Sequence, residues 1–151
     1  MNKKTAFIFF IIIIILILFI LFIFNKKQKD NQNVLKINKC RFKIEYAIAP
    51  TEKKQGLSGI KKMGEFEAML FIYQEPKVYH FWMKGMEFPL DFVWIKEDKI
   101  IDLNENVPAP GKSGNIARVS PAKAVDKVLE INAGMIKKCQ IKIGDKVSFN
   151  N

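Results

Sequence analysis

A mainly β domain behind one transmembrane helix is the fold class that this sequence predicts. Three observations carry the expectation. Ala6 to Phe24 is 19 uninterrupted apolar residues, almost all Ile, Leu and Phe. From Cys40 to Ile48 apolar and polar residues alternate with the period of a half-buried strand. Beyond Pro50, short apolar runs are punctuated by Gly, Pro and Asn roughly every eight to twelve residues, as in a small all-β domain. The division is a tail at 1–5, an anchor helix at 6–24, a polar linker at 25–33 and one β-sandwich or barrel with one or two short helices at 34–151.

The anchor comes first. At 1.5 Å per residue a helix of that length spans roughly 28 Å, about a bilayer's hydrocarbon thickness. A cleaved signal peptide has a shorter apolar core and ends in small residues. Here Asn25-Lys26-Lys27-Gln28-Lys29 follows instead, so the segment reads as an uncleaved single-pass signal-anchor with membrane lipid as its partner. Lys3 and Lys4 face Lys26, Lys27 and Lys29 across it. That one-residue bias, taken literally, favours a cytoplasmic domain.

The chain carries 25 bases and 15 acids, and all but Lys3 and Lys4 lie beyond the apolar run. The bases are mostly Lys scattered at strand spacing, with only Arg41 and Arg118 as arginines. This is a solvated basic surface, and no nucleic-acid partner is expected.

Val34 to Ile37 pairs with the alternating strand from Cys40 across Asn38-Lys39. Pro50 ends that strand, and Thr51 caps a short helix stopping near Gly56. Glu67 to Tyr73 is a strand. Val78 to Lys84 is another, with Tyr79, Phe81 and Met83 on one face and His80, Trp82 and Lys84 on the other. After the turn Gly85 to Pro89, Phe88 to Ile95 returns as its hairpin partner. Ile100 to Leu103 and Lys127 to Asn132 are strands separated by a long loop from Asn104 to Asn115. Cys139 to Ile143 and Lys146 to Phe149 form a closing pair. Gly111-Lys112-Ser113 is no phosphate loop, because Asn106 stands where the motif needs Gly and Pro108 and Pro110 obstruct its geometry.

Phe81-Trp82-Met83-Lys84 followed by Pro89-Leu90-Asp91 resembles the signature of the domain of unknown function 192 family. Thr51 to Leu57, Met69-Leu70-Phe71, Val128 to Gly134 and Gly144-Asp145 resemble its other segments in order. Gly85 stands where Asn is usual, Ala68 where Gly is, Lys53 where Arg is and Ser58 where Met is. The resemblance implies a compact, jelly-roll-like domain, often behind a signal or anchor, with no established activity. It also tips the expected location to the outside of the membrane.

Candidate chemistry centres on the same stretch. A hairpin brings Lys84 and Asp91 together, alternation adds His80 and Trp82, and Glu130 joins if its strand is a neighbour. Such a pocket offers Lys84 to an anion, Trp82 as a stacking face, and Asp91 and Glu130 as acceptors. The alternative is a Lys84–Asp91 pair that only fixes register. His80 is the only histidine, which rules out a multi-His metal site and a second His for base catalysis; no cofactor and no catalytic residue is assigned. Cys40 and Cys139 either form a disulfide or remain inward-facing thiols. The expected function is binding of a small or polymeric ligand, or an envelope partner, around Trp82, Lys84 and Asp91. An envelope enzyme using Asp91 or Glu130 as general base, or a purely structural or assembly protein, is the alternative.

Overall fold

In the computed structural model, residues 2–31, 33–111 and 114–149 are described. They divide into a helical N-terminal unit and a β unit beginning at Val34. Lys112 and Ser113, in the rejected phosphate-loop segment, lie outside the described residues.

The N-terminal unit is one helix, α1 (Lys3–Asn31). Among the described residues no helix is long and apolar enough to cross a membrane. The expected transmembrane helix at 6–24, and the signal-anchor built on it, are corrected accordingly. Phe10 to Ile23, on this helix, are exposed.

The β unit opens with a hairpin of β1 (Val34–Ile37) and β2 (Cys40–Ala47). Ile37 faces Cys40 across the expected turn, where Asn38 adopts a φ of 51°. Leu35, Ile37, Cys40, Phe42 and Ile44 point to one face and are buried. Next comes α2 (Pro50–Gln55). Proline suits a helix start because its missing N–H would be unpaired there anyway. Thr51 is not the cap: the Glu52 carboxylate accepts the N–H groups of Ile48 and Ala49, both at 2.8 Å. Those bonds hold Glu52 below its usual pKa.

A loop from α2 returns the chain to β3 (Glu67–Lys77), parallel to β2. Parallel neighbours need such a crossover. β5 (Leu90–Lys96), β6 (Lys99–Val107) and β8 (Val125–Asn132) complete the other half. A short helix, α3 (Met135–Lys138), precedes β9 (Val147–Phe149). The order is β6-β5-β8-β3-β2-β1-β9 in one seven-stranded sheet. Its two edges meet: Gly144 donates to the Ile100 carbonyl at 2.8 Å, Ile100 to Asp145 at 2.9 Å and Val147 to Asp98 at 2.8 Å. The sheet therefore curls around an inner core that includes Phe42, Leu70, Val93 and Leu129. A second core, with Phe71, Phe92, Trp94 and Val128, covers part of its outer face. Burying a side chain of that size contributes about 1.5–3 kcal/mol.

Mainly β with few helices is correct, and of the sandwich or barrel expected the sheet takes the curled, half-barrel form, both cores lying on one sheet. The hairpin expected from Val78 to Ile95 does not form. β4 is only Phe81–Trp82 and pairs with β7 (Arg118–Val119) in a separate two-stranded ribbon, while Leu90 enters the main sheet. The expected strand from Cys139 to Ile143 is replaced by the end of α3 and a turn.

Candidate functional site

Strand parity decides where the two buried acids point. Residues directly opposite one another in an antiparallel pair share a face. Phe92 is opposite Glu130, and Asp91 is opposite Ile131. Phe92 belongs to the outer core and Ile131 to the inner one. Glu130 and Asp91 therefore lie on opposite faces of the sheet.

Asp91 is fully buried and fully engaged. Its Oδ1 accepts the Asn106 N–H at 2.7 Å and its Oδ2 accepts the Ile136 N–H at 2.8 Å. The β5–β6 register shifts between Leu90 and Phe92, so Asp91 supplies the acceptor that Asn106 would otherwise lack. It also fixes the first turn of α3. Asp91 does not line the cleft described below, and among the described residues it forms no ion pair with Lys84. The physical reason is the missing hairpin, since β4 and β5 belong to different sheets.

Glu130, Trp82, Lys84 and His80 do converge, on an open cleft of about 330 Å³ over the outer face. Phe71, Tyr73 and Glu130 line it from β3 and β8; Lys53 and Lys54 contribute from α2. His80, Phe81, Trp82 and Lys84 come from β4 and its flanks. Phe81 sets this wall. Its ring meets Phe71, Phe92 and Trp94 edge-on, with centroids 4.9, 5.8 and 5.6 Å away. Alternation then turns Trp82 outward, leaving it 55% exposed. Tyr73 stacks on Tyr79 at 3.6 Å, and Lys53 Nζ lies 4.4 Å from the Tyr73 ring centroid.

Two hydrogen bonds join the loop after α2 to the turn after β4. Ser58 Oγ donates to the Lys84 carbonyl at 3.1 Å and Gly59 N–H to the Gly85 carbonyl at 2.9 Å. Gly85 has φ 73°, and a Cβ there would lie 2.2 Å from Ser58 Oγ. Two of the departures from the family pattern, Ser58 and Gly85, are thus in contact, and their closeness fixes one end of the cleft.

Glu130 is the chemically unusual member. It is 6% exposed, and its buried Oε2 has no hydrogen-bond partner. Burial pushes its carboxyl up to about 8. At neutral pH it is largely a neutral acid, which can donate as well as accept a hydrogen bond. Burial, with Tyr79 and Glu130 nearby, also raises the Tyr73 phenol. Buried polar atoms are nearly always paired, which makes Glu130 Oε2 an exception among the described residues.

A second hollow, about 270 Å³, lies against the first and is lined by Trp82, Lys84, Ile116 and Arg118. Sequence reasoning missed Arg118 and Ile116, which reach Trp82 only through the β4–β7 pairing. It also missed Lys53, Lys54 and Tyr73; the helix placement gave the only hint. Cys40 and Cys139 are joined by a disulfide with Cα atoms 5.8 Å apart. Both belong to the inner core, so neither serves the cleft as a thiol partner for His80.

Residues 33–149 match the DUF192 family model, described as Uncharacterized ACR. No curated protein matches the chain. Among solved structures, a protein of unknown function from Novosphingobium aromaticivorans DSM 12444 is 26% identical, with a TM-score of 0.70 over 77% of this chain and 84% of that one. A "putative transcription regulator" from Sinorhizobium meliloti 1021 is 28% identical, also with a TM-score of 0.70, over 77% of this chain and 91% of its own. The family match spans most of the β unit and includes the Trp82, Lys84 and Glu130 segments that form the cleft, so the chain belongs to the DUF192 family.

Proposed function

We propose that the β domain is a ligand-binding module and that its ligand occupies the cleft between α2 and β4. The buried Glu130 carboxyl, with Oε2 unpaired at the cleft, carries this reading. A ligand oxygen or nitrogen that bonds to it satisfies a group that the protein leaves unsatisfied. Trp82 offers an exposed aromatic face, and Lys53, Lys54 and Lys84 supply positive charge along the walls. The preferred ligand is therefore a small organic anion, or the end of a larger one, with a hydrogen-bonding group for Glu130 and a ring or alkyl face for Trp82.

Binding is favoured over catalysis because Glu130 is the only acid among the cleft-lining residues. Asp91 has both oxygens committed to backbone N–H groups on the other face. We further infer that the domain works in an oxidising compartment outside the cytoplasm. The Cys40–Cys139 disulfide supports that location.

A fragment library screened by ligand-observed NMR tests the binding reading. Hits should be lost in Trp82→Ala and Glu130→Ala proteins that retain the wild-type fold by circular dichroism. Hits that persist in both variants would place binding elsewhere and defeat the proposal.

A further inference from the structure

We propose that the ligand is an extended acidic glycan whose strand crosses Trp82, with one sugar ring in the cleft and the next over Ile116 and Arg118. This deepens the binding reading of the cleft and rests on it. Trp82 and Lys84 line both hollows, so the indole forms a wall between two adjoining spaces. The wall has a fixed place in the fold: Phe81 anchors the short ribbon through three aromatic rings, and Trp82 sits directly opposite Arg118.

Charge follows the same path. Lys53 and Lys54 lie in the first hollow, Lys84 is common to both, and Arg118 is in the second. Among the described residues none of these four forms an ion pair. The only acid in either lining is the buried Glu130. Cations repeated on both sides of an aromatic face suit a chain with an anion on successive units. A pyranose presents an apolar face of C–H groups to an indole and a rim of hydroxyls to polar partners, as Trp82 and Glu130 require. A nucleic-acid strand also stacks and carries repeated charge. The disulfide favours the glycan, because it suits an oxidising compartment outside the cytoplasm, away from the cell's nucleic acid.

The test uses the full chain and Trp82 fluorescence. The chain has two tryptophans, and Trp94 is fully buried with its Nε1 bonded to Asn104 at 2.7 Å. A Trp82→Phe protein supplies the background signal. The probes are galacturonic acid, its linear pentamer, a neutral cello-pentamer and a five-residue oligothymidylate. The pentagalacturonate should quench Trp82 and bind about tenfold more tightly than the monomer. Arg118→Ala should weaken the pentamer about fivefold and the monomer less. Equal affinity for monomer and pentamer, untouched by Arg118→Ala, would overturn the extended path but leave the cleft reading standing. Tighter binding of the oligothymidylate or the cello-pentamer would overturn the acidic-glycan assignment. If no probe binds, the glycan assignment falls, and the fragment screen decides the cleft reading separately.

Discussion

Replacing Glu130 by Gln should make the protein more stable at alkaline pH and leave it nearly unchanged in acid. In the folded chain, burial raises this carboxyl from 4.5 to about 8. Between those values the folded state keeps a proton that the unfolded chain has lost. Stability from this group is therefore fully present below pH 4.5 and falls as pH rises, with the loss complete above about 8. Each pKa unit corresponds to about 1.36 kcal/mol, which sets an upper bound near 5 kcal/mol for the whole window. Water entering the open cleft reduces that, so a loss on the order of 2–4 kcal/mol is expected.

Glutamine has nearly the same shape as the protonated acid and does not titrate. Urea unfolding of wild type and Glu130→Gln at pH 4.5, 6, 7.5 and 9 isolates the effect, because the other carboxylates cancel in the difference. The variant should gain relative stability progressively across the series. Two stability profiles that stay parallel from pH 4.5 to 9 would refute a buried, proton-holding Glu130. Carbon-13 NMR titration of the carboxyl gives the same answer independently, with a midpoint several units above that of an exposed glutamate.

Two further outcomes test the framework under the site. Asp91→Ala strands the buried N–H of Ile136 and removes the partner of the more open Asn106 N–H, and should cost about 2–4 kcal/mol in urea unfolding, whereas Lys84→Ala should cost less than about 0.5 kcal/mol; equal losses would restore a Lys84–Asp91 pair. Reducing the disulfide, which joins residues 99 positions apart, should lower stability by about 2–4 kcal/mol, and an unchanged urea midpoint with and without reductant would show that the link carries no stability.

Much of the fold was legible because it is local. The β1–β2 hairpin follows from strict alternation and a two-residue turn at Asn38-Lys39, and strands near β3, β5 and β8 follow from apolar runs bounded by turn residues. What failed depends on long-range pairing. Nothing in the order of residues says that Phe81–Trp82 leaves its sequence neighbour β5 to pair with Arg118–Val119. Two-residue strands carry no periodicity, so β7 and the second hollow had no sequence signal. The apolar run at 6–24 met the length and hydropathy expected of a span, yet no described helix meets them. The site was half legible. His80, Trp82 and Lys84 share a face by alternation on their own segment, and they do meet Glu130. Asp91 was grouped with them on the assumption of a hairpin.

The two carboxylates show why that assumption mattered. Both stand among apolar residues, and by composition they are equivalent. The sheet separates them by parity alone: register puts Asp91 against Ile131 and Glu130 against Phe92. On the inner face a bulge and a helix start supply Asp91 with two donors, and the charge becomes a structural tie. On the outer face nothing among the described residues meets Glu130 Oε2, so the group holds its proton and lowers stability as pH rises. A fold seldom retains such a cost without a use for it. A ligand that accepts the Glu130 proton in a hydrogen bond binds the neutral acid in preference to the carboxylate. By linkage such a ligand raises the pKa further; its stabilisation is full below about pH 8, where the folded chain keeps the Glu130 proton, and fades above that.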